Sequence, residues 1–277
     1  MDGLAGMSSA FLQQIDWSRP WLADVRERGM AIAGSLDWRA ALNSHVAALD
    51  VRNHRGLPIH FVPQSDLPPG IAYEQFISDT GGVPTRDNLH DFFNALVWLH
   101  FPRIKVQLNA LQAAEIARRA SAAAVAEKNH ASVQRHGRGH VRDAATIFDE
   151  NAVLFIVSDA ALVDALRMHD WQTLFMVRRA AWQQQCRALL FGHALMEKLV
   201  QPYKAITGHA WIVTCNGCAA AHMPMSDIDA IVAQQLAAGL GTADFSPLPV
   251  LGVPQWWPAQ DDAFYADKTV FRPPRQR

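Results

Sequence analysis

His90, Asp91 and Asn94 fall three and four residues apart in a run otherwise made of Leu, Phe, Val and Trp, so a helix there carries them on one polar stripe. Buried without partners, each such group costs about 1 to 3 kcal/mol. A hydrogen-bond network would satisfy them, and so would a ligand, a proton-transfer partner or a metal. His193 and Glu197 repeat the four-residue spacing in a second apolar stretch. With His209 beyond Pro202 they form a candidate divalent-metal set with one position open, the alternative being a plain His–Glu pair. The spacing is not that of the zincins, which need two histidines around a glutamate.

Arg86 follows the Gly81-Gly82 pair and precedes this first helix. Free backbone N–H groups at a helix start, together with a guanidinium, suit an oxyanion or phosphate, although no P-loop or dinucleotide fingerprint is present. Arg142-Asp143 and Asp149-Glu150 bracket another segment, either as binding groups or as a salt-bridged start and a solvated turn. Cys215 and Cys218, with His222 four residues on, make half of a zinc knuckle, and only His209 or Cys186 is at hand to complete it.

These side chains need elements to hold them. Pro20 starts a helix through Ile32, and Ser35 caps another in which Leu42, Val46 and Leu49 recur. Leu57–Pro63 reads as a strand between prolines and Tyr73–Ile77 as a brief helix. The helix of His90 is capped by Thr85 or Asp87 and closed by Pro102, and a second follows from Ile104 to Arg119. Ala120–Gly139 reads as a mobile linker or a long insertion. Val141–Phe148 and Ala152–Val157 flank Asp149-Glu150-Asn151 as a β-hairpin with an acidic turn. Asp159 caps a helix to His169, and one long helix runs from Trp171 to Val200. Ile206–Thr214 is a strand, and Ser226 or Asp227 caps a helix ending near Gly239. Phe245–Arg277, rich in proline and aromatics, reads as an extended arm. The fold class expected is mainly helical α+β, with an N-terminal helical segment (1–56), a main domain (57–244) and the arm (245–277).

At 277 residues and 50% hydrophobic composition the chain can bury a large core without staples. Lys and Arg number 25 against 26 Asp and Glu, a balance that draws neither nucleic acid nor an anionic membrane. Three cysteines are too few for a secreted disulfide framework, and the N-terminus lacks the charged and apolar regions of a signal peptide, so a cytoplasmic location is expected. The apolar run from Phe92 to Phe101 is interrupted by Asn94 and His100 and is too short to cross a bilayer.

The runs VPTRDNLHDFFNALVWLHFPRIKVQLNALQ, RDAATIFDEN, LLFGHALMEKLVQPYKAITGH and PLPVLGVPQWWP, with FYADKTVFRPP beyond them, resemble the bacterial domain-of-unknown-function family numbered three thousand and twenty-five, from about Pro58 to Pro274. The resemblance implies no activity and no metal.

Two classes of function follow. In the first the chain is a metal-assisted or acid/base hydrolase of a small anionic substrate. Arg86, Arg142 and Asp143 bind the ligand, His90, Asp91, Asn94, His193 and Glu197 do the chemistry, and His193, Glu197 and His209 hold a divalent metal. In the second it is a non-catalytic ligand-binding or regulatory protein whose polar cluster is structural. Convergence of the His90 stripe with the His193–His209 region or the Arg142-Asp143 start separates the two.

Overall fold

A computed structural model describes residues 10–128, 140–215 and 219–274. The fold is α+β with 56% helix against 14% strand, so helices build the body and the sheets serve it. In chain order, α1 (Arg26–Ala33) and α2 (Trp38–Ala48) lead to β1 (His60–Pro63). Then come α3 (Tyr73–Thr80), β2 (Gly82–Thr85), α4 (Leu89–His100), α5 (Pro102–Lys128) and α6 (His140–Asn151). The second half holds β3 (Ala152–Val157), α7 (Ala160–Arg167), β4 (Cys186–Leu190), α8 (His193–Lys198), β5 (Thr207–Thr214), α9 (Met225–Ala238), β6 (Phe245–Pro249) and α10 (Asp262–Tyr265). No helix among the described residues is long and apolar enough to cross a membrane.

Two sheets form. β1 and β2 pair in parallel, while the larger sheet has the order β4-β3-β5-β6 with only the central β3–β5 pair parallel. Every residue of β3 is buried, as expected of a strand covered on both faces. Residues 91–99 of α4 are likewise all buried, which makes this helix the axle of the body. Buried apolar residues form one cluster from Leu12 to Phe271.

Several local expectations change. Val141–Phe148 is not a strand but the body of α6, so Asp149-Glu150-Asn151 is a helix end that feeds β3 directly. Val141, Thr146 and Ile147 favour a strand locally, but Ala144, Ala145 and Phe148 share a helical stripe and are fully buried. The long helix expected from Trp171 to Val200 is instead a π turn (Thr173–Val177), a 3-10 turn (Arg179–Gln183), β4 and the short α8. Pairing of Cys186–Leu190 with β3 overrides the helix preference of that composition. Residues 120–128 continue α5, in keeping with their alanine content, and the rest of the expected linker lies outside the described residues.

Asn88 rather than Thr85 or Asp87 caps α4, its Oδ1 accepting the Asp91 N–H at 2.8 Å. The expected arm begins as edge strand β6, where Pro247 and Pro249 are tolerated. It then packs Tyr265 and Phe271 against Phe175, with Phe264 against both.

Candidate functional site

A cavity of about 320 Å³ lies among α3, α4, α5, α6 and the start of α8, with Tyr73, His90, Asn94, Lys105, Glu150 and His193 among its walls. Each wall has a local cause. Asn88 fixes the first turn of α4 and hence the stripe of His90, Asp91 and Asn94. Pro102 opens α5, and the Asp229 carboxylate from α9 accepts the Arg103 and Ile104 N–H groups at 3.0 and 2.9 Å. That cap sets Lys105 facing inward one turn along. α8 begins at Gly192, where a Cβ would lie 2.5 Å from Asn151 N and 2.6 Å from Glu150 O. Only glycine lets His193 come this close to the end of α6. Gly192→Ala is therefore expected to cost about 1–3 kcal/mol through overpacking and to separate His193 from Glu150. Urea denaturation checks the first effect and a metal titration the second.

The two imidazoles point at each other. His90 Nε2 and His193 Nε2 are 3.1 Å apart with the rings near perpendicular, and Glu150 Oε2 is 3.6 Å from His193 Nε2. His90, Glu150 and His193 each offer one ligand atom, all within 4.8 Å of one another. Two nitrogens bound to one tetrahedral ion at about 2.0–2.1 Å stand about 3.3 Å apart, close to what is seen. Each imidazole also has a carboxylate on its outer side. His90 Nδ1 lies 3.0 Å from Glu197 Oε2, and His193 Nδ1, buried and without a hydrogen bond, lies 3.9 Å from Asp149 Oδ1. Burial holds the His193 pKa down to about 4 against the pull of Asp149, so the ring is neutral at physiological pH, as a metal ligand must be.

Behind the imidazoles runs a polar network. Lys105 Nζ donates to Asp149 Oδ1 at 2.6 Å and to Asn94 Oδ1 at 2.8 Å, and Asn94 Nδ2 donates to the Tyr73 hydroxyl at 3.0 Å. Lys105 also sits over the Trp98 ring at 5.4 Å. Burial alone would raise the Asp149 pKa, but the charge and the hydrogen bond of Lys105 hold it below the ordinary value, so this carboxylate is ionised. Glu150 goes the other way, raised by burial and by the neighbouring Asp149. Arg86 and Lys105 face Glu74, Asp91, Asp149 and Glu150 across the walls, an excess of two negative charges. Such a cavity favours a cation.

The structure gathers His90, Asp91, Asn94 and His193 around this one cavity. Glu197 stands behind His90 as a hydrogen-bond partner, not among the converging ligand atoms. His209, on β5, is apart from the cavity with its ring against Phe245, and among the described residues the groups that could hold a metal ion are His90, His193 and Glu150 instead. The anion seat expected at Arg86 is taken by Asp91, which accepts the Arg86 backbone N–H at 2.6 Å and Nε and Nη2 at 3.0 Å each. Arg142 faces Glu74 at 3.7 Å, and Asp143 is not on the cavity wall. Cys186 is a buried free thiol in β4, and Cys218 lies outside the described residues. Lys105, Tyr73 and Gln112 were not singled out by sequence, although Lys105, Asn109 and Gln112 repeat at helical spacing on α5.

No curated protein and no solved structure matches the chain. The family model described as "Protein of unknown function (DUF3025)" matches residues 59–275, which include all of α4, α5, α6 and α8 and hence every residue of the His90–Glu150–His193 cluster. Most of the chain lies within that match, and the chain belongs to the DUF3025 family.

Proposed function

We propose that the cavity binds a divalent cation through His90 Nε2, His193 Nε2 and Glu150, and that the chain is a metal-assisted hydrolase of a small polar substrate. The observation that carries this reading is the placement of a carboxylate on the outer nitrogen of both imidazoles. A carboxylate favours a proton on the nitrogen facing it: Glu197 at 3.0 Å does so for His90 Nδ1, and Asp149 at 3.9 Å biases His193 the same way, which turns both Nε2 lone pairs toward one point. Lone pairs 3.1 Å apart repel unless a cation lies between them. The low basicity of His193 disfavours an imidazolium there, and a divalent ion between the two nitrogens satisfies both lone pairs. Two histidines and one carboxylate leave coordination positions open for water and a substrate oxygen, and a bound divalent ion lowers the pKa of that water. The arginines expected to receive an anionic substrate face Asp91 and Glu74, so an anionic group would be drawn by the cation rather than by them.

The second reading is a non-catalytic ligand-binding protein. It is favoured by the fact that 3.1 Å is also an ordinary N–H···N hydrogen-bond length. Full-length protein loaded in turn with zinc, manganese and cobalt, and assayed on a panel of esters, amides and phosphate esters, tests the choice. Hydrolysis that disappears with chelator, returns with metal and is absent in Glu150→Gln is expected. Hydrolysis indifferent to chelator and to Glu150→Gln, or none with any metal, contradicts the hydrolase reading.

A further inference from the structure

A groove of about 720 Å³ shares no lining residue with the His90 cavity. It is of the size that small molecules occupy. Its walls come from the two turns before β4 and from residues 253–256, with Met176, Trp182, Val253, Pro254 and Trp256 supplying apolar surface. Trp182 is buried, its Nε1 donating to the Leu174 oxygen at 2.7 Å, and Trp256 is half-buried with its ring 6.3 Å from that of Trp21. Both indoles are thus held in place before any ligand arrives.

Arg179 is the residue of this lining that packing does not explain. Its Nη1 donates to the Tyr265 hydroxyl at 3.3 Å and its Nη2 to Gln260 Oε1 at 3.0 Å. Both acceptors are themselves fixed. The Tyr265 O–H donates to the Gly252 oxygen at 2.9 Å, and Gln260 Nε2 donates to the Leu251 and Val253 oxygens at 2.8 Å each. Gln260 Oε1 also accepts the Gln255 N–H at 2.9 Å, so one oxygen ties the guanidinium to the backbone beside Val253 and Trp256.

Neither acceptor is charged, since burial holds the Tyr265 hydroxyl above its ordinary pKa, and among the described residues no carboxylate pairs with Arg179. Fixing a long side chain costs rotamer entropy, which an ion pair would offset and solvation alone would not require. Three of the five N–H donors remain for a further partner. Arg187, the other arginine of the lining, is paired with Asp24 and donates to the Met223 oxygen at 3.2 Å. Two arginines against one aspartate leave the groove one net positive charge, which suits a monoanion, and the planar guanidinium fork matches a carboxylate.

We propose that this groove binds a small monocarboxylate carried on a flat apolar body, the carboxylate on Arg179 and the body against Val253 and Trp256. The site is separate from the metal centre and stands whether or not the hydrolase reading does.

The probes are 2-naphthoate and 2-naphthamide, which share a ring system and differ in charge. Titrated into chelator-treated full-length protein, where no metal can take the carboxylate, and followed by ligand-observed NMR, 2-naphthoate should bind saturably and the amide at least about tenfold more weakly. Arg179→Gln should weaken 2-naphthoate at least about tenfold with little change in melting temperature, because Tyr265 and Gln260 keep their other bonds. Arg179→Lys keeps the charge but loses the fork, and should weaken it at least about fivefold. Arg178→Gln changes the net charge equally one residue away, at a side chain paired with Asp159 outside the groove, and should stay within about twofold of the parent. His193→Ala should bind the probe as the parent does. The two Arg179 variants are independent, so either carries the test if the other fails to fold. No saturable 2-naphthoate binding, an amide that binds as tightly, or parent affinity in a folded Arg179 variant overturns the site. Equal losses in Arg178→Gln and Arg179→Gln, or a loss in His193→Ala, would do the same, by assigning the binding to diffuse charge or to the other cavity.

Discussion

Zinc affinity should fall by at least about 100-fold in His193→Ala and about tenfold in Glu197→Gln, which removes only the outer partner of His90. His193 supplies one of the two nitrogens that meet at the centre, and its ring is 4% exposed, so water cannot readily take its place. Without metal the stability of His193→Ala should stay near that of the parent or exceed it. The ring it removes leaves Nδ1 without a hydrogen bond and faces Nε2 toward another imidazole, which is the usual cost of a site held for function. A purely structural pair predicts the opposite: no zinc affinity to lose, and destabilisation of about 2 kcal/mol or more from unpaired buried partners. Isothermal titration with zinc, alongside urea melts of chelated protein, distinguishes them.

The second large effect concerns Lys105. Its ammonium is nearly sealed from solvent between Asp149, Asn94 and the face of Trp98. Lys105→Met should cost about 3–5 kcal/mol, since it leaves the buried Asp149 carboxylate without its cation. Adding Asp149→Leu should return most of that loss, because replacing both partners of a buried pair with apolar groups is often close to neutral. The double variant should nonetheless hold zinc less tightly, His193 having lost the carboxylate behind it. Urea unfolding of the two single variants and the double gives the coupling directly. Single variants whose losses simply add would mean that Lys105 and Asp149 do not interact.

How much of this was legible in the sequence follows from where local and long-range forces agree. The stripe of His90, Asp91 and Asn94 was visible because helical spacing placed polar groups among residues that are in fact buried. The pairing of His193 with Glu197 on one short helix was visible for the same reason. Their junction was not, since 103 residues separate the two histidines and nothing in either segment encodes the approach. The element that mediates it, the end of α6, reads in the sequence as the acidic turn of a hairpin, because Asp149-Glu150-Asn151 falls between two strand-like runs. The alternating reading put Asp149 and Glu150 at a solvated tip, whereas the helix directs both into the cavity. Gly192 gave no signal of its own, as a close backbone approach becomes evident only once the neighbouring backbone is placed. Lys105 and Gln112 were hidden in an apparently ordinary amphipathic helix, where lysine and glutamine are expected to face water.

The central claim, one divalent ion on His90, His193 and Glu150, is tested most directly by a crystal of the full chain soaked in zinc, with diffraction recorded on both sides of the zinc absorption edge. The account predicts a single strong anomalous peak in the cavity, about 2.0–2.1 Å from both Nε2 atoms and about 2.0–2.2 Å from a Glu150 oxygen. No peak at that position, with the two imidazoles still 3.1 Å apart and joined by a hydrogen bond, would contradict it.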